Sequence, residues 1–264
     1  MSSPATYADV VVALRAAGCV FAEDEAALVV AAADTPERLA AMVRDRSSGL
    51  PLEQVVGWAE FCGRRIVVRP GVFVPRRRTE WLAAQATALA DRVTGRRPVV
   101  LDLCCGAGAV AVAVGAAVDA EVHAADIEPA AVECARLNLE GRGQVYEGDL
   151  FEPLPARLRR RVDVLVANVP YVPTGEIELL PAEARVHEPR VTLDGGADGL
   201  DVARRVAAGA PAWLAPGGSL LIETTERQVP AAIALFEAAG LAVRVAVSDE
   251  LQATAVVGRA AETG

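Results

Sequence analysis

Apolar residues recur at threes and fours along the N-terminal stretch, in Val10, Val11 and Leu14, then Ala27, Leu28 and Ala31, then Leu39, Met42 and Val43. That spacing lines one face of a helix and predicts three or four short helices between Ala5 and about Gly57. Asp34 or Thr35 followed by Pro36 marks a helix start, because proline is tolerated at the first helical position. From Trp58 to Val74 the period drops to two, in Ile66 and Val68 and again in Val72 and Val74, with turn signals at Gly63-Arg64 and Pro70-Gly71. This predicts a small β-hairpin linking two domains.

After Pro75 short apolar runs alternate with helical patterns. Strands are expected at Pro98 to Leu103, Glu121 to Asp126, Gln144 to Tyr146, Val162 to Ala167 and Ser219 to Ile222. Helices are expected at Val110 to Val118, Pro129 to Leu139, about Leu200 to Trp213, and Pro230 to Ala239. Such alternation implies βαβ units, hence an α/β fold with a mainly parallel sheet covered on both faces. Two last strands, Ala242 to Val247 and Ala253 to Val257, follow each other without a helix and should pair antiparallel, because a parallel return needs a long crossover. No internal repeat or low-complexity segment interrupts the pattern.

Composition narrows the possibilities. With 264 residues, 53% hydrophobic and 23% charged, the chain must fold around a sizeable core. A net charge of −9 argues against a generic phosphate-backbone binder, whose affinity rests on Lys and Arg. All 26 basic residues are Arg, which reads as coding bias and not mechanism. No apolar run approaches the ~18 residues a spanning helix needs, and no signal-peptide pattern opens the chain, so a soluble cytoplasmic protein is expected. Five irregularly spaced cysteines (Cys19, Cys62, Cys104, Cys105, Cys134) suit neither a disulfide framework nor paired zinc ligands; reduced, mostly buried thiols are expected. No metal is expected: His123 and His187, the only histidines, form no ligand pair, and His123 should pack in a strand.

Ligands of a doubly wound sheet lie beyond the carboxyl ends of its strands, so the loop after the first strand is the first candidate site. It reads Val100-Leu-Asp-Leu-Cys-Cys-Gly-Ala-Gly-Ala109. Gly106 and Gly108 permit close backbone approach and let a helix start at once, its free N–H groups facing the pocket; a role in helix packing alone is the plainer alternative. The second strand ends in Asp126, where an acid accepts hydrogen bonds from ribose hydroxyls, and Gly148-Asp149 follows the third. Together these point to an adenosine ligand. The residues alone leave a dinucleotide and S-adenosylmethionine both open, although the G-x-G-x-x-G run that cradles a pyrophosphate is missing.

The fourth strand runs into Asn168-Val169-Pro170-Tyr171. Pro170 fixes its own φ and holds Val169 extended, giving a rigid turn at a strand tip. Methylating an amide or conjugated amine requires acceptors for both N–H groups, so that the nitrogen faces the methyl. The Asn168 side-chain carbonyl and the Val169 backbone carbonyl are two such acceptors, and Tyr171 can stack on a planar group. A strand ending in a proline turn with a core tyrosine is the alternative from the tetrapeptide alone. The following segment, Val172 to Gly199, is long and polar, and long ordered loops in compact domains are usually functional.

The pieces "GLPLEQVVGWAEF", "VFVPRRRTEWL", "VLDLCCGAGAVAVAV", "ADIEPAAVECARLNL", "GDLFEPL", "ANVPYVPTGEI", "HEPRVTLDGGADGLDVARRV" and "APGGSLLIET" run collinearly over nearly the whole chain. In them the sequence resembles the protein-(glutamine) methyltransferases that modify translation proteins, the family of the release-factor glutamine methyltransferase. The resemblance implies a class I methyltransferase-like, mixed seven-stranded sheet over residues 76–264. Before it would stand a helical substrate-recognition domain, 1–57, and a hairpin linker, 58–75.

The resemblance also implies S-adenosyl-L-methionine as cofactor. Cys104, Cys105, Gly106, Ala107 and Gly108 would line its methionine part, Asp126 its ribose, and Leu150 beside Asp149 its adenine, with Asp102 and Ile127 in the same site. Asn168 would touch both cofactor and substrate. Asn168, Val169, Pro170 and Tyr171 would hold a glutamine amide, and Glu188 would belong to an ordered segment at the substrate pocket. The implied partner is a protein: a release factor, whose glutamine commonly lies in a Gly-Gly-Gln loop, or a ribosomal protein.

Three positions depart from the family pattern. Val169 replaces a proline, Cys104 and Cys105 replace a glycine and a small polar residue, and Arg77-Arg78 replace a proline and an acid. The last creates a basic cluster whose plainer reading is a solvated helix start. Two other functions stay open at this point. One is methylation of an exocyclic base amine, opposed by the acidic balance; the other is a silent cofactor-binding partner, motivated only by Val169, Cys104 and Cys105.

Overall fold

The computed structural model describes residues 6–262. Ala5, where the helical pattern was expected to begin, lies outside them. Four helices open the chain: α1 (Tyr7–Ala16), α2 (Ala22–Ala32), α3 (Pro36–Ser47) and α4 (Leu52–Val56). Thr6 and Asp9 cap α1 reciprocally, and the Thr35 hydroxyl accepts the Arg38 N–H at 3.1 Å to start α3 directly ahead of Pro36. Their apolar faces close a small core of Val10, Leu14, Ala26, Val29, Met42 and Val55.

A two-stranded hairpin follows, β1 (Trp58–Phe61) with β2 (Arg64–Val67). The alternation at Val72 and Val74 does not make a further strand: both side chains are buried, but that backbone joins no ladder. The hairpin is anchored on its outer edge, where Asn138 accepts the Val67 N–H at 2.8 Å and donates to its carbonyl at 3.0 Å.

The remaining elements are α5 (Thr79–Ala90), β3 (Val99–Leu103), α6 (Ala109–Ala117), β4 (Glu121–Asp126), α7 (Pro129–Asn138), β5 (Gly143–Glu147), β6 (Val162–Ala167), α8 (Ala182–His187), α9 (Asp201–Gly209), β7 (Leu214–Thr224), α10 (Val229–Ala238), β8 (Ala242–Ser248) and β9 (Ala253–Arg259). The seven strands lie in the order β5-β4-β3-β6-β7-β9-β8. Five run parallel, and the final pair is antiparallel as expected, with β9 inserted between β7 and β8. Helices cover both faces over two cores, so β3 and β6 are buried throughout. The chain leaves β3 toward β4 on one side and returns to β6 on the other. That reversal opens a crevice at the carboxyl ends of β3, β4 and β6.

Two boundaries differ most from expectation. The helix expected to reach Trp213 stops at Gly209, because Pro211 cannot continue it, and a 3₁₀ turn finishes the segment. Strand β7 begins at Leu214, earlier than Ser219, with a register shift against β6 between Val162 and Val164. The cysteines are free, but only Cys105 and Cys134 are buried; Cys62 is exposed at the hairpin tip, and Cys19 and Cys104 are intermediate. His123 is buried in β4, between Tyr146 and Glu121 at 3.0 Å each. Among the described residues no helix is long and apolar enough to cross a membrane.

Candidate active site

The glycine loop between β3 and α6 is held from two sides. Asp102, 1% exposed, accepts the Ala111 N–H at 3.0 Å and braces the first turn of α6. Asp126, at the tip of β4, accepts the Gly106 N–H at 2.8 Å with one oxygen and the Glu128 N–H at 2.9 Å with the other. Each Asp126 oxygen keeps a lone pair for a ligand hydroxyl. The two glycines have different jobs. A Cβ on Gly106 would meet nothing within 4 Å, and that glycine lines the crevice; a Cβ on Gly108 would stand 3.2 Å from the Ala135 Cβ. Gly108 therefore serves the close packing of α6 on α7 and does not line the crevice.

Cys104 has φ 53°, the left-handed region that favours glycine. A family glycine at this place is thus explained, and the cysteine holds the turn at some cost in strain. Burial, reinforced by the carboxylates of Asp126 and Asp102, pushes both the Cys104 and Cys105 thiols well up, so they stand as neutral sulfur in the wall. Burial also raises Asp102, to about 7, and Asp126.

Between an unfolded value near 3.8 and a folded value near 7, the folded chain keeps an Asp102 proton that the unfolded chain has released, so stability falls as pH rises through this window. Asp102→Asn retains an acceptor for Ala111 without the buried charge. The expected result is a melting temperature for the variant that gains on wild type between pH 5 and pH 8. Thermal melts of ligand-free protein at the two pH values check it; a constant difference would contradict it.

At the tip of β6 the Asn168–Tyr171 turn enters the same crevice. Asn168 Nδ2 points to Thr79 Oγ1 at 3.5 Å. Among the described residues, neither Asn168 Oδ1 nor the Val169 carbonyl accepts a hydrogen bond, and both residues line the cavity. The turn is fixed from behind. Gln228, 5% exposed, donates to the Tyr171 carbonyl at 2.9 Å and to the Asp198 carbonyl at 3.1 Å. The long segment after the turn folds back on it: the Val172 N–H donates to Leu193 at 3.0 Å, and the Gly195 N–H to Val172 at 2.8 Å. A Cβ on Gly195 would lie 2.7 Å from the Pro170 carbonyl, and one on Gly199 would collide with the Tyr171 carbonyl. The glycine-rich run is therefore a close-approach surface for the turn.

Glu188 lines the crevice with its carboxylate already engaged by protein partners. Its carboxylate receives Arg76 Nη2 at 2.7 and 2.6 Å and the Val74 N–H at 3.1 Å, and its side chain is fully buried. Burial raises its pKa and Arg76 opposes the rise. The expected substrate residue thus ties the 172–199 segment to the chain leaving the hairpin. The basic cluster is not simply solvated either: Arg77 and Arg78 are both exposed, but Arg78 pairs with Glu223 and Arg76 with Glu188.

One cavity of about 860 Å³ joins the two halves. Asp102, Cys104, Cys105, Gly106, Ala107, Asp126, Ile127, Asp149 and Leu150 line one wall, and Asn168, Val169, Pro170, Tyr171 and Glu188 the other. Asp149 pairs with Arg205 at 2.7 Å, and Leu150 turns into the cavity floor at φ 49°. Thr79, Arg78 and Gln228 also line the cavity; Thr79 and Gln228 were not singled out from sequence, and Arg78 only as part of the basic cluster. Glu223 was missed because the strand pattern was ended at Ile222; an acid closing the run Leu220-Leu-Ile-Glu223 is the signal that was available.

An acid-rich wall with an open glycine position suits an adenosine ligand that carries positive charge, as S-adenosylmethionine does. This fold and site define an S-adenosylmethionine-dependent methyltransferase of class I architecture. Residues 64–196 match the family model described as "Methyltransferase small domain". The chain is 39% identical over 212 residues, 78% of its length and 72% of the relative's, to a release factor glutamine methyltransferase of Geobacter sulfurreducens. It is 37% identical over 214 residues, 79% of its length and 73% of the relative's, to a 4-amino-L-phenylalanine/4-methylamino-L-phenylalanine methyltransferase of Streptomyces pristinaespiralis. A methyltransferase structure from Pyrococcus furiosus shares the fold at 14% identity and TM-score 0.56, covering 86% of this chain and all of that one. The chain belongs to the family of the release factor glutamine methyltransferases.

Proposed function

We propose that the protein transfers a methyl group to the side-chain amide nitrogen of a glutamine in a translation protein, a peptide chain release factor in the first place. The observation that carries this reading is the pair of unused acceptors, Asn168 Oδ1 and the Val169 carbonyl, at one end of the cavity. An amide nitrogen is a poor nucleophile because its lone pair is delocalised. Two acceptors that take both N–H groups hold it with the nitrogen turned toward the cofactor wall, and Tyr171 offers a ring face to the amide plane. When bound, S-adenosylmethionine supplies an electrophilic methyl. The N–C bond forms as the S–C bond breaks, and one N–H proton leaves for solvent, so positioning and electrostatics do most of the work.

In this reading residues 1–57 recognise the protein substrate, 58–75 link, and 76–264 carry the chemistry. Asp126 holds the ribose, Leu150 and Asp149 the adenine, and Cys104 to Ala107 the methionine part. The place of work is the cytoplasm, where release factors act, and the net charge of −9 favours a protein partner over nucleic acid.

The near-equal identity to the Streptomyces pristinaespiralis enzyme favours one second reading, methylation of an aromatic amine, whose NH₂ the same two acceptors fit. Labelled methyl transfer to a purified release factor and, separately, to 4-amino-L-phenylalanine tests both. The release factor is expected to be labelled; label on the amino acid alone moves the substrate to the second class.

A further inference from the structure

The buried carboxylate of Glu223 has no part in the chemistry above. It follows the Ala167–Ile222 pair that ends the β6–β7 ladder, and the register therefore sets it beside Asn168. Glu223 is 3% exposed, and neither oxygen has an aligned hydrogen bond among the described residues. Arg78 Nε stands 3.1 Å from Oε1 as an ion pair, and Thr79, next in the chain, lies 3.5 Å from the Asn168 side chain that the register sets beside Glu223. Burial pushes the Glu223 pKa up, and the Thr79 hydroxyl and Arg78 oppose that push. A carboxylate so deeply buried and so thinly partnered requires a reason. Both of its neighbours reach onward to the turn. Thr79 Oγ1 faces Asn168 Nδ2, and the Arg78 guanidinium lies 5.3 Å from the centroid of the Tyr171 ring.

We propose that Glu223 is the positioning residue of the amide-holding turn, acting on Asn168 through Thr79 and on Tyr171 through Arg78. A hydroxyl has one proton to give. Donated to the Glu223 carboxylate, it leaves Thr79 Oγ1 as an acceptor only, and Asn168 must present its NH₂ there. Asn168 Oδ1 is then turned to the substrate, where an acceptor is needed. With the hydroxyl reversed, the Asn168 amide flips and offers the substrate N–H groups a donor. The 3.5 Å contact is long, as expected of a site that tightens when loaded. Arg78 spans the same carboxylate and the Tyr171 face, so the ring plane and the amide orientation share one anchor.

This inference rests on the proposed chemistry, and its test separates the two. Thr79→Val keeps the volume and removes the hydroxyl. Its kcat is expected to fall about tenfold to a hundredfold, the scale of a misplaced reacting group, with the S-adenosylmethionine Kd unchanged and Thr79→Ser restoring turnover. In Glu223→Gln the amide oxygen turns to Arg78, which can only donate, so the amide NH₂ faces Thr79, reverses the chain and gives the same loss, and the double variant is no worse than the poorer single one. Wild-type kcat in Thr79→Val, or losses that multiply in the double variant, overturn the proposal. If the wild-type chain methylates neither glutamine nor arylamine, the functional reading has failed on its own. The Asn168 side-chain amide protons then decide the positioning role by NMR: faster exchange in Thr79→Val than in wild type supports it, and equal exchange overturns it.

Discussion

Asn168→Ala is expected to lower kcat by about 10²- to 10³-fold, the scale of removing one preorganised partner from a developing charge. In the proposed chemistry the side chain supplies one of two acceptors for the amide N–H groups, and the Val169 carbonyl cannot hold both. A nitrogen held by one hydrogen bond rotates about it, and few of its orientations face the methyl donor. The fold should survive, because among the described residues the Asn168 side chain makes a single long hydrogen bond, to Thr79, and the turn is held by the backbone bonds of Tyr171 and Val172. Single-turnover methyl transfer with a circular dichroism melt checks both halves. Wild-type turnover in the folded variant would remove Asn168 from its role.

Asp126→Ala is expected to weaken S-adenosylmethionine binding by about 1.5–3 kcal/mol, the range for hydrogen bonds to a charged group. The structure places the effect toward the upper end. The same carboxylate also holds the Gly106 and Glu128 N–H groups, so its loss releases the loop as well as the ribose. Because burial raises the Asp126 pKa, affinity should also decline on acidification, as the acceptor takes a proton. Calorimetric titration of cofactor into both proteins measures the difference. An unchanged Kd would place the ribose elsewhere.

The sheet was legible because its strands are short apolar runs bounded by turn residues. Glu121–Asp126 and Val162–Ala167 fall where the pattern ends them, since both are bounded sharply by polar or turn positions. The cofactor loop and the Asn168 turn were legible for a related reason: both are continuous stretches at strand tips. The rest of the site is assembled from residues far apart in sequence. Gln228 reaches Tyr171 across 57 positions and Thr79 reaches Asn168 across 89, and no local period records such pairings. Glu188 was legible as part of an ordered segment, but the direction of its side chain depends on Arg76, 112 positions away. The departures at Arg78 and Cys104 could be read from sequence, whereas their consequences required the ring of Tyr171 and the backbone angle of the loop.

In the proposed function the two free acceptors at the β6 tip hold a glutamine amide. Tandem mass spectrometry of a release factor incubated with the enzyme and S-adenosylmethionine tests it most directly. The expected result is one added methyl, located on a glutamine side chain and absent when Asn168→Ala replaces the wild-type enzyme. A methyl on any other residue type, or an unmodified release factor beside a methylated aromatic amine, would contradict it.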